Sequence, residues 1–314
     1  VANSRFIKDR GLTARMTLTM FLLGALFVVF MVVLMGAALQ SGNGGLVPII
    51  GVVGIGIAFY QWWSSDKVAM RAMRAREVSP EDAPELHGMI DRLCAMADMP
   101  KPRVGVADMD IPNAFATGRS PDRAVVCVTT GILRRLNAEE LEGVLAHELS
   151  HVAHRDVLVM TVASSAGIVA GMVTQSVQYG GLSLLGGGRG RSNNNNGGAL
   201  PFYLVAIVVS LVVYAVSFIL TRMLSRYREL CADRAGAYLT MKPGALASAL
   251  QKITGEMAAI PQKDLRASSA MNAFFIAPAI SGVSMKTLTS THPSLEQRLQ
   301  QLARIQAELG RPTG

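Results

Sequence analysis

The amino-acid sequence predicts a membrane α-helical protein with an α+β part: four transmembrane helices and a cytoplasmic, mostly helical domain containing a small β-sheet. Three observations lead there. Half of the 314 residues are hydrophobic and only 17% are charged, whereas soluble domains carry about a quarter charged residues. The apolar residues gather in long uncharged runs. Between those runs, short β-branched stretches punctuated by Pro, Gly, Asp and Asn alternate with amphipathic helical periods.

Leu18 to Leu39 carries no charge and is long enough to cross the roughly 30 Å hydrocarbon core as a helix. It follows Arg5, Lys8, Arg10 and Arg15, as a secretory signal would. A signal's apolar region is shorter, about 7–15 residues, so the run reads as an uncleaved anchor. Leu46 to Trp63 is a second run, closed by Tyr60, Trp62 and Trp63, residues suited to a lipid interface. Val157 to about Leu185 is a weaker third candidate, interrupted by Thr161, Ser164, Ser165 and Gln175. A buried or re-entrant helix is the alternative there. Pro201 to Leu220 is again uncharged throughout.

The net charge of +8 invites a nucleic-acid reading, but the basic residues sit beside the apolar runs: Lys67, Arg71, Arg74 and Arg76 after the second, Arg222, Arg226 and Arg228 after the last. This is the positive-inside pattern. It places the N-terminus and both long polar regions in the cytoplasm and argues against nucleic acid as a partner. Three cysteines, Cys94, Cys127 and Cys231, have no metal-type spacing and suit reduced, packed thiols.

The expected organisation is residues 1–63 as a tail with two spans, 64–156 as the first cytoplasmic part, 157–220 as a membrane hairpin with a Gly- and Asn-rich loop, and 221–314 as the second cytoplasmic part. In the first part, Ser79-Pro80-Glu81-Asp82 reads as a helix start, with Leu86, Ile90, Leu93 and Met96 as the buried face. Strands are expected at Val104 and Val106, at Ala114 to Thr117 and at Ala124 to Val128. Asn137 with Glu140 forms a capping-box pattern before a helix through Leu141, Val144, Leu145 and Leu149. The second part opens with a charged helix over Arg226 to Leu239, continues around Ala245 to Met257, and ends over Leu295 to Leu309.

The chemistry lies in His147-Glu148-Leu149-Ser150-His151. One helical turn separates the histidines, so both imidazoles leave the same face and can share one ion, with Glu148 between them as a general base. A peptide bond resists water until a metal polarises the carbonyl and lowers the pKa of water, and a carboxylate moves the proton. A solvated surface helix is the bland alternative, but this helix is capped, apolar on its other side, and holds three of the chain's five histidines. A hydrolytic zinc site needs a third protein ligand. His154 lies about 10 Å along the axis from His147, too far to share the ion. Glu229 is the better candidate, because two spans return the chain to the same side. A helix ion pair with Arg226 or Arg228 is its alternative role. Asp233, one turn further, could accept the second N–H of a ligating histidine.

With the hydrophobic hairpin, these residues join Asn113-Ala114-Phe115-Ala116-Thr117-Gly118, Arg228-Glu229-Leu230-Cys231-Ala232-Asp233 and Thr291-His292-Pro293 in a pattern that resembles the HtpX family of bacterial membrane zinc proteases. Those are gluzincins, related more distantly to the CAAX prenyl proteases, and the likeness extends over nearly the whole chain. It implies a zincin-type catalytic domain with one Zn2+ per subunit held by His147, His151 and Glu229. Glu148 would activate water, and Asp233 would stand behind a ligand. Asn113, Ala114, Phe115 and Ala116 would form an edge strand pairing with an extended substrate, as β-augmentation also suggests. His292 would stabilise the oxyanion, supported by Arg298; on residues alone His292 is equally a turn residue before Pro293. Leu230 stands where an aromatic is usual in the family.

The implied function is cleavage of misfolded or damaged membrane proteins in a bacterial plasma membrane, alone or in association with other membrane proteases. A dedicated processing protease is the runner-up. A zinc-sensing transporter fits less well, because the three clear spans hold no charged residue of the kind transport places at mid-membrane. An inactive scaffold would have no need of Glu148.

Overall fold

The computed structural model describes residues 10–40, 46–160, 167, 170–171, 199–259 and 292–310. The chain divides into two compact units: Val1–Met16, Trp62–Leu158 and Ser225–Gly314 form one, Thr17–Gln61 and Val159–Leu224 the other.

The second unit is built from α1 (Arg10–Gln40), α2 (Leu46–Trp63) and the first half of a long helix that begins at Ala199. Among the described residues two helices are long and apolar enough to cross a membrane, over Thr13–Gly36 and Leu204–Thr240. The second expected run is helical over its whole length. The third candidate, Val157 to about Leu185, and the Gly- and Asn-rich stretch after it lie largely outside the described residues. Among the described residues, Phe30, Leu34, Ala170, Ala206 and Val213 form a packed cluster. The buried residues Ala206, Ser210, Val213 and Ser217 follow one helix face. Large apolar side chains point outward instead, Phe21 at 71% and Val208 at 60% exposure.

The first unit holds a four-stranded sheet in the order β1-β2-β4-β3. Its strands are β1 (Ala75–Glu77), β2 (Arg103–Ala107), β3 (Ala114–Thr117) and β4 (Val125–Thr129). β2 and β4 run parallel, and the two outer pairings are antiparallel. β4 is buried at every position, as a near-continuous apolar run in a central strand requires. Three strands fall where the alternation predicts. β1 is new: three residues with two charges show no period to detect.

Two local expectations need correction. Ser79 and Asp82 do not open a helix. They close a turn on each other, with the Ser79 hydroxyl donating to the Asp82 carboxylate at 3.0 Å, and α4 starts later, at Pro84 (Pro84–Ala97). Proline at the first helical position suits the new start as well as the old one. The buried face of α4 is Leu86, Ile90, Leu93, Cys94 and Ala97, while Met96 faces out.

The remaining helices of this unit are α3 (Ser65–Ala72), α5 (Thr130–Arg135), α6 (Ala138–Ala153), the end of α7 (Ala199–Thr240), α8 (Pro243–Ala259) and α9 (Leu295–Leu309). The helix expected over Arg226 to Leu239 is the continuation of the last apolar run, because no proline or glycine interrupts α7 between Phe202 and Ala235. Asn137 and Glu140 complete the capping box of α6. Glu140 also accepts from Ser248 at 2.6 Å and from Lys252 at 2.8 Å, tying the start of α6 to α8. α7 meets α6 backbone to backbone at Gly236, where an added Cβ would lie 2.9 Å from the His147 nitrogen. After β3, the Trp62 indole donates to the Arg119 carbonyl at 3.3 Å, and the Arg119 guanidinium stacks 3.6 Å over Trp63. The two tryptophans thus hold the loop that follows the edge strand.

Candidate active site

α6 carries His147 and His151 one turn apart on a helix whose other faces are buried. Their Nε2 atoms approach to 3.2 Å, with the rings nearly perpendicular at 87°. The close passage at Gly236 lets α7 present its own side chains to the same spot. Glu229 comes within 3.7 Å of His147 Nε2 and 3.5 Å of His151 Nε2. One ligand atom from each of His147, His151 and Glu229 can be chosen so that all lie within 4.8 Å of one another. Two imidazoles and a carboxylate suit a borderline ion such as zinc. Glu229 is buried, and a buried carboxylate is satisfied by a cation.

Each histidine has a carboxylate behind it. His147 Nδ1 lies 2.9 Å from Asp233 Oδ1, and Asp233 is gripped by Arg298 through two nitrogens at 2.7 and 2.6 Å. His151 Nδ1 lies 2.5 Å from Asp156 Oδ2, and the Arg228 Nε is 3.0 Å from that same oxygen. α9 brings Arg298 in from the far end of the chain, and Gln301 on the same helix donates to the Leu230 carbonyl of α7 at 2.8 Å.

Residues 80–306 match the family described as Peptidase family M48. The chain belongs to peptidase family M48. It is similar to Protease HtpX homolog 1 of Streptomyces coelicolor, 56% identical over 98% of this chain and 97% of that relative. It is also similar to Protease HtpX homolog of Moorella thermoacetica, 51% identical over 96% of each, and to Protease HtpX homolog 2 of Methanosarcina acetivorans, at 47%. In fold it resembles the crystal structure of S. mikatae Ste24p, with a TM-score of 0.50 at 13% identity. That likeness covers 91% of this chain and 63% of the other. The M48 chain is therefore a metalloprotease, a hydrolase of peptide bonds.

The apolar part of α7 ends near Leu220, so Glu229 and Asp233 lie on its charged continuation. Burial of this M48 site works against every charge in it, yet the charges sustain one another. Burial alone would lower the His147 pKa, but its bonds to Asp233 and Glu229 push it up to about 9. Glu229 is held well below the usual carboxylate range despite its burial, by His292 and His147. Asp233 is held low by Arg298 in the same way. Glu148 differs: burial raises its pKa, only partly offset by the two histidines. A carboxylate shifted upwards is a better proton acceptor, as a general base should be.

β3 is an edge strand, paired only with β4. Thr129 donates to the Asn113 carbonyl at 2.9 Å, so the alternation of antiparallel pairs turns the amides of Ala114 and Ala116 away from β4. α6 packs against this strand. Phe115 is anchored with Met73, Ala107 and Cys127. The structure brings His147, His151, Glu229 and Asp233 together, with Glu148 on the same helix and Asn113–Ala116 at and just before β3. His292 Nδ1 sits 3.2 Å from Glu229 Oε2. Arg298 stands behind Asp233 and 4.0 Å from Glu229. His154 is the C-cap of α6 and outside the ligand cluster.

Sequence reasoning missed Asp156 and gave Arg228 only a surface role. Asp156 follows His154 and Arg155, and Arg155 adopts left-handed φ of 56°. That turn folds Asp156 back beneath His151. An aspartate five positions after the second histidine, in reach only through such a turn, has no helical period to reveal it.

Proposed function

We propose that the chain is a zinc-dependent endopeptidase embedded in a bacterial plasma membrane, where it degrades misfolded or damaged membrane proteins. The convergence of His147, His151 and Glu229 beside Glu148 and an open strand edge carries this reading. Four spans, from residues 1–63 and 157–220, would hold the cytoplasmic parts 64–156 and 221–314 at the membrane surface, where other membrane proteases would be partners.

His147, His151 and Glu229 hold the zinc in this reading. Bound zinc supplies Lewis acidity, polarising the scissile carbonyl and acidifying water. The substrate backbone extends along β3, pairing with the outward groups of Ala114 and Ala116. Glu148 accepts the proton of the attacking water and returns it to the leaving amine, so the carboxylate ends as it began. His292 donates to the developing oxyanion. Asp233 fixes His147 with Nε2 free to ligate.

Glu148→Gln is expected to keep the metal and the fold and to lower casein cleavage by about 10²–10⁴-fold. Parental rates from a zinc-loaded Glu148→Gln chain would sink the mechanism. For topology, single cysteines at Ser192 and Ser268 are expected to differ towards an impermeant thiol reagent on intact cells. Labelling at Ser192 alone agrees; labelling at Ser268 alone inverts the orientation. For quality control, a destabilised membrane protein should be cleaved faster than its stable parent.

A further inference from the structure

We infer that Asp156, ion-paired with Arg228, is the positioning residue of His151: its carboxylate holds the Nδ1 proton so that Nε2 is presented to the metal. This rests on the reading of His147, His151 and Glu229 as ligands, and goes beyond it.

Three observations converge. The His151 Nδ1 to Asp156 Oδ2 distance is 2.5 Å, short enough for a charge-assisted bond, and Asp156 is only 3% exposed. The same oxygen faces Arg228 Nε at 3.0 Å. The guanidinium thereby fixes the carboxylate in place behind its histidine. Finally, the left-handed turn at Arg155, φ 56°, brings Asp156 back beneath His151.

The other histidine supplies an internal parallel. Arg298, Asp233 and His147 form one Arg–Asp–His chain, with Asp233 fully buried. Arg228, Asp156 and His151 form a second, built from the turn after α6 instead of from α7 and α9. The two differ in grip. Arg298 holds its aspartate through two nitrogens, whereas one Oδ2 of Asp156 serves both His151 and Arg228. Carboxylates behind ligating histidines fix the tautomer and strengthen the ligand, and removing one lowers metal affinity about 10–100-fold. The neighbouring Arg228–Glu229 pair in sequence then serves two histidines from one turn of α7: Glu229 joins them at the ion, and Arg228 steadies one from behind.

The test uses the full chain, its Asp156→Asn variant, and the double variant Asp156→Asn/Arg228→Met. The double variant removes the guanidinium that the single change would leave buried and unpaired, so that a folding defect from that charge is avoided. Zinc affinity is read by chelator competition, and cobalt-substituted protein gives the ligand-field spectrum. Both variants are expected to bind zinc about 10–100-fold more weakly, with an altered cobalt spectrum. Cleavage should return to within a few-fold of the parent at saturating zinc, with KM unchanged. Parental zinc affinity with an unaltered spectrum in either folded variant would overturn the inference while leaving the ligand reading intact. Failure of the parent itself to take up zinc, or undiminished affinity in His151→Ala, would overturn the ligand reading and this inference with it.

Discussion

The two units of this protein are built inside out relative to each other in chemistry. In the helices of Thr17–Gln61 and the first half of α7, large apolar side chains such as Phe21 and Val208 face outward while Ser210 and Ser217 are buried. In the catalytic unit, the residues with the least exposure include His147, Asp233 and Arg298. The difference teaches where each unit's stability resides. The first arrangement relies on an apolar surrounding and on small side chains that let helices approach. The second relies on charges that tolerate burial only because each has a partner.

Breaking one partner of the buried Arg298–Asp233 pair should have the largest effect. Arg298→Met leaves Asp233 and is expected to destabilise the chain by about 3–5 kcal/mol, whereas Arg298→Met/Asp233→Asn should recover most of that loss. Denaturant unfolding of the full chain in detergent compares them. If single and double changes are equally harmful, the pair is not what stabilises this unit.

The helical unit should respond to volume instead. Ala206 is fully buried against Phe30 and Leu34, so Ala206→Leu should overpack the contact and cost about 1–3 kcal/mol. The same unfolding measurement reads it.

Acidity sharpens the contrast, since only the catalytic unit should sense it. In the metal-free chain the His147 pKa is raised from 6.5 to about 9. Its contribution to stability is therefore complete below pH 6.5 and lost as pH rises through about 9. The carboxylates Glu229 and Asp233, shifted downward, lose theirs only in acid. A falling unfolding midpoint across that alkaline window is expected without metal, and because zinc needs the neutral ring, uptake at pH 7 should release about one proton from His147. Calorimetry in two buffers of different ionisation enthalpy counts it.

The smallest effect belongs to the outward apolar residues. Val208→Ala, at a position 60% exposed, should change unfolding in detergent by less than about 0.5 kcal/mol. A larger loss would mean that Val208 is packed against protein.

Much of this was legible because it is periodic. His147, Glu148 and His151 show one turn of helix, Glu229 and Asp233 show another, and β2, β3 and β4 show alternation. The capping box before α6 announces itself by its spacing. What stayed hidden depends on three-dimensional return. Asp156 reaches His151 only through the left-handed Arg155, and Arg298 meets Asp233 across 65 positions of sequence. β1 is too short and too charged to declare itself. The start of α4 moved because Ser79 and Asp82 can close a turn as readily as cap a helix.

Gly236 gives the site a built-in ruler. At that crossing the helix bearing both histidines and the helix bearing Glu229 touch through main chain, with the His147 nitrogen 2.9 Å from where a Cβ would stand. The spacing between the two halves of the ligand set is thus a distance between backbones, insensitive to which side chains fill the surrounding core. A graded series at this one position, Gly236→Ala, then Ser, then Val, would wedge the helices apart in small increments without touching any ligand. Metal affinity plotted against the size of the wedge would show how much misalignment a two-histidine, one-carboxylate site withstands before it ceases to close.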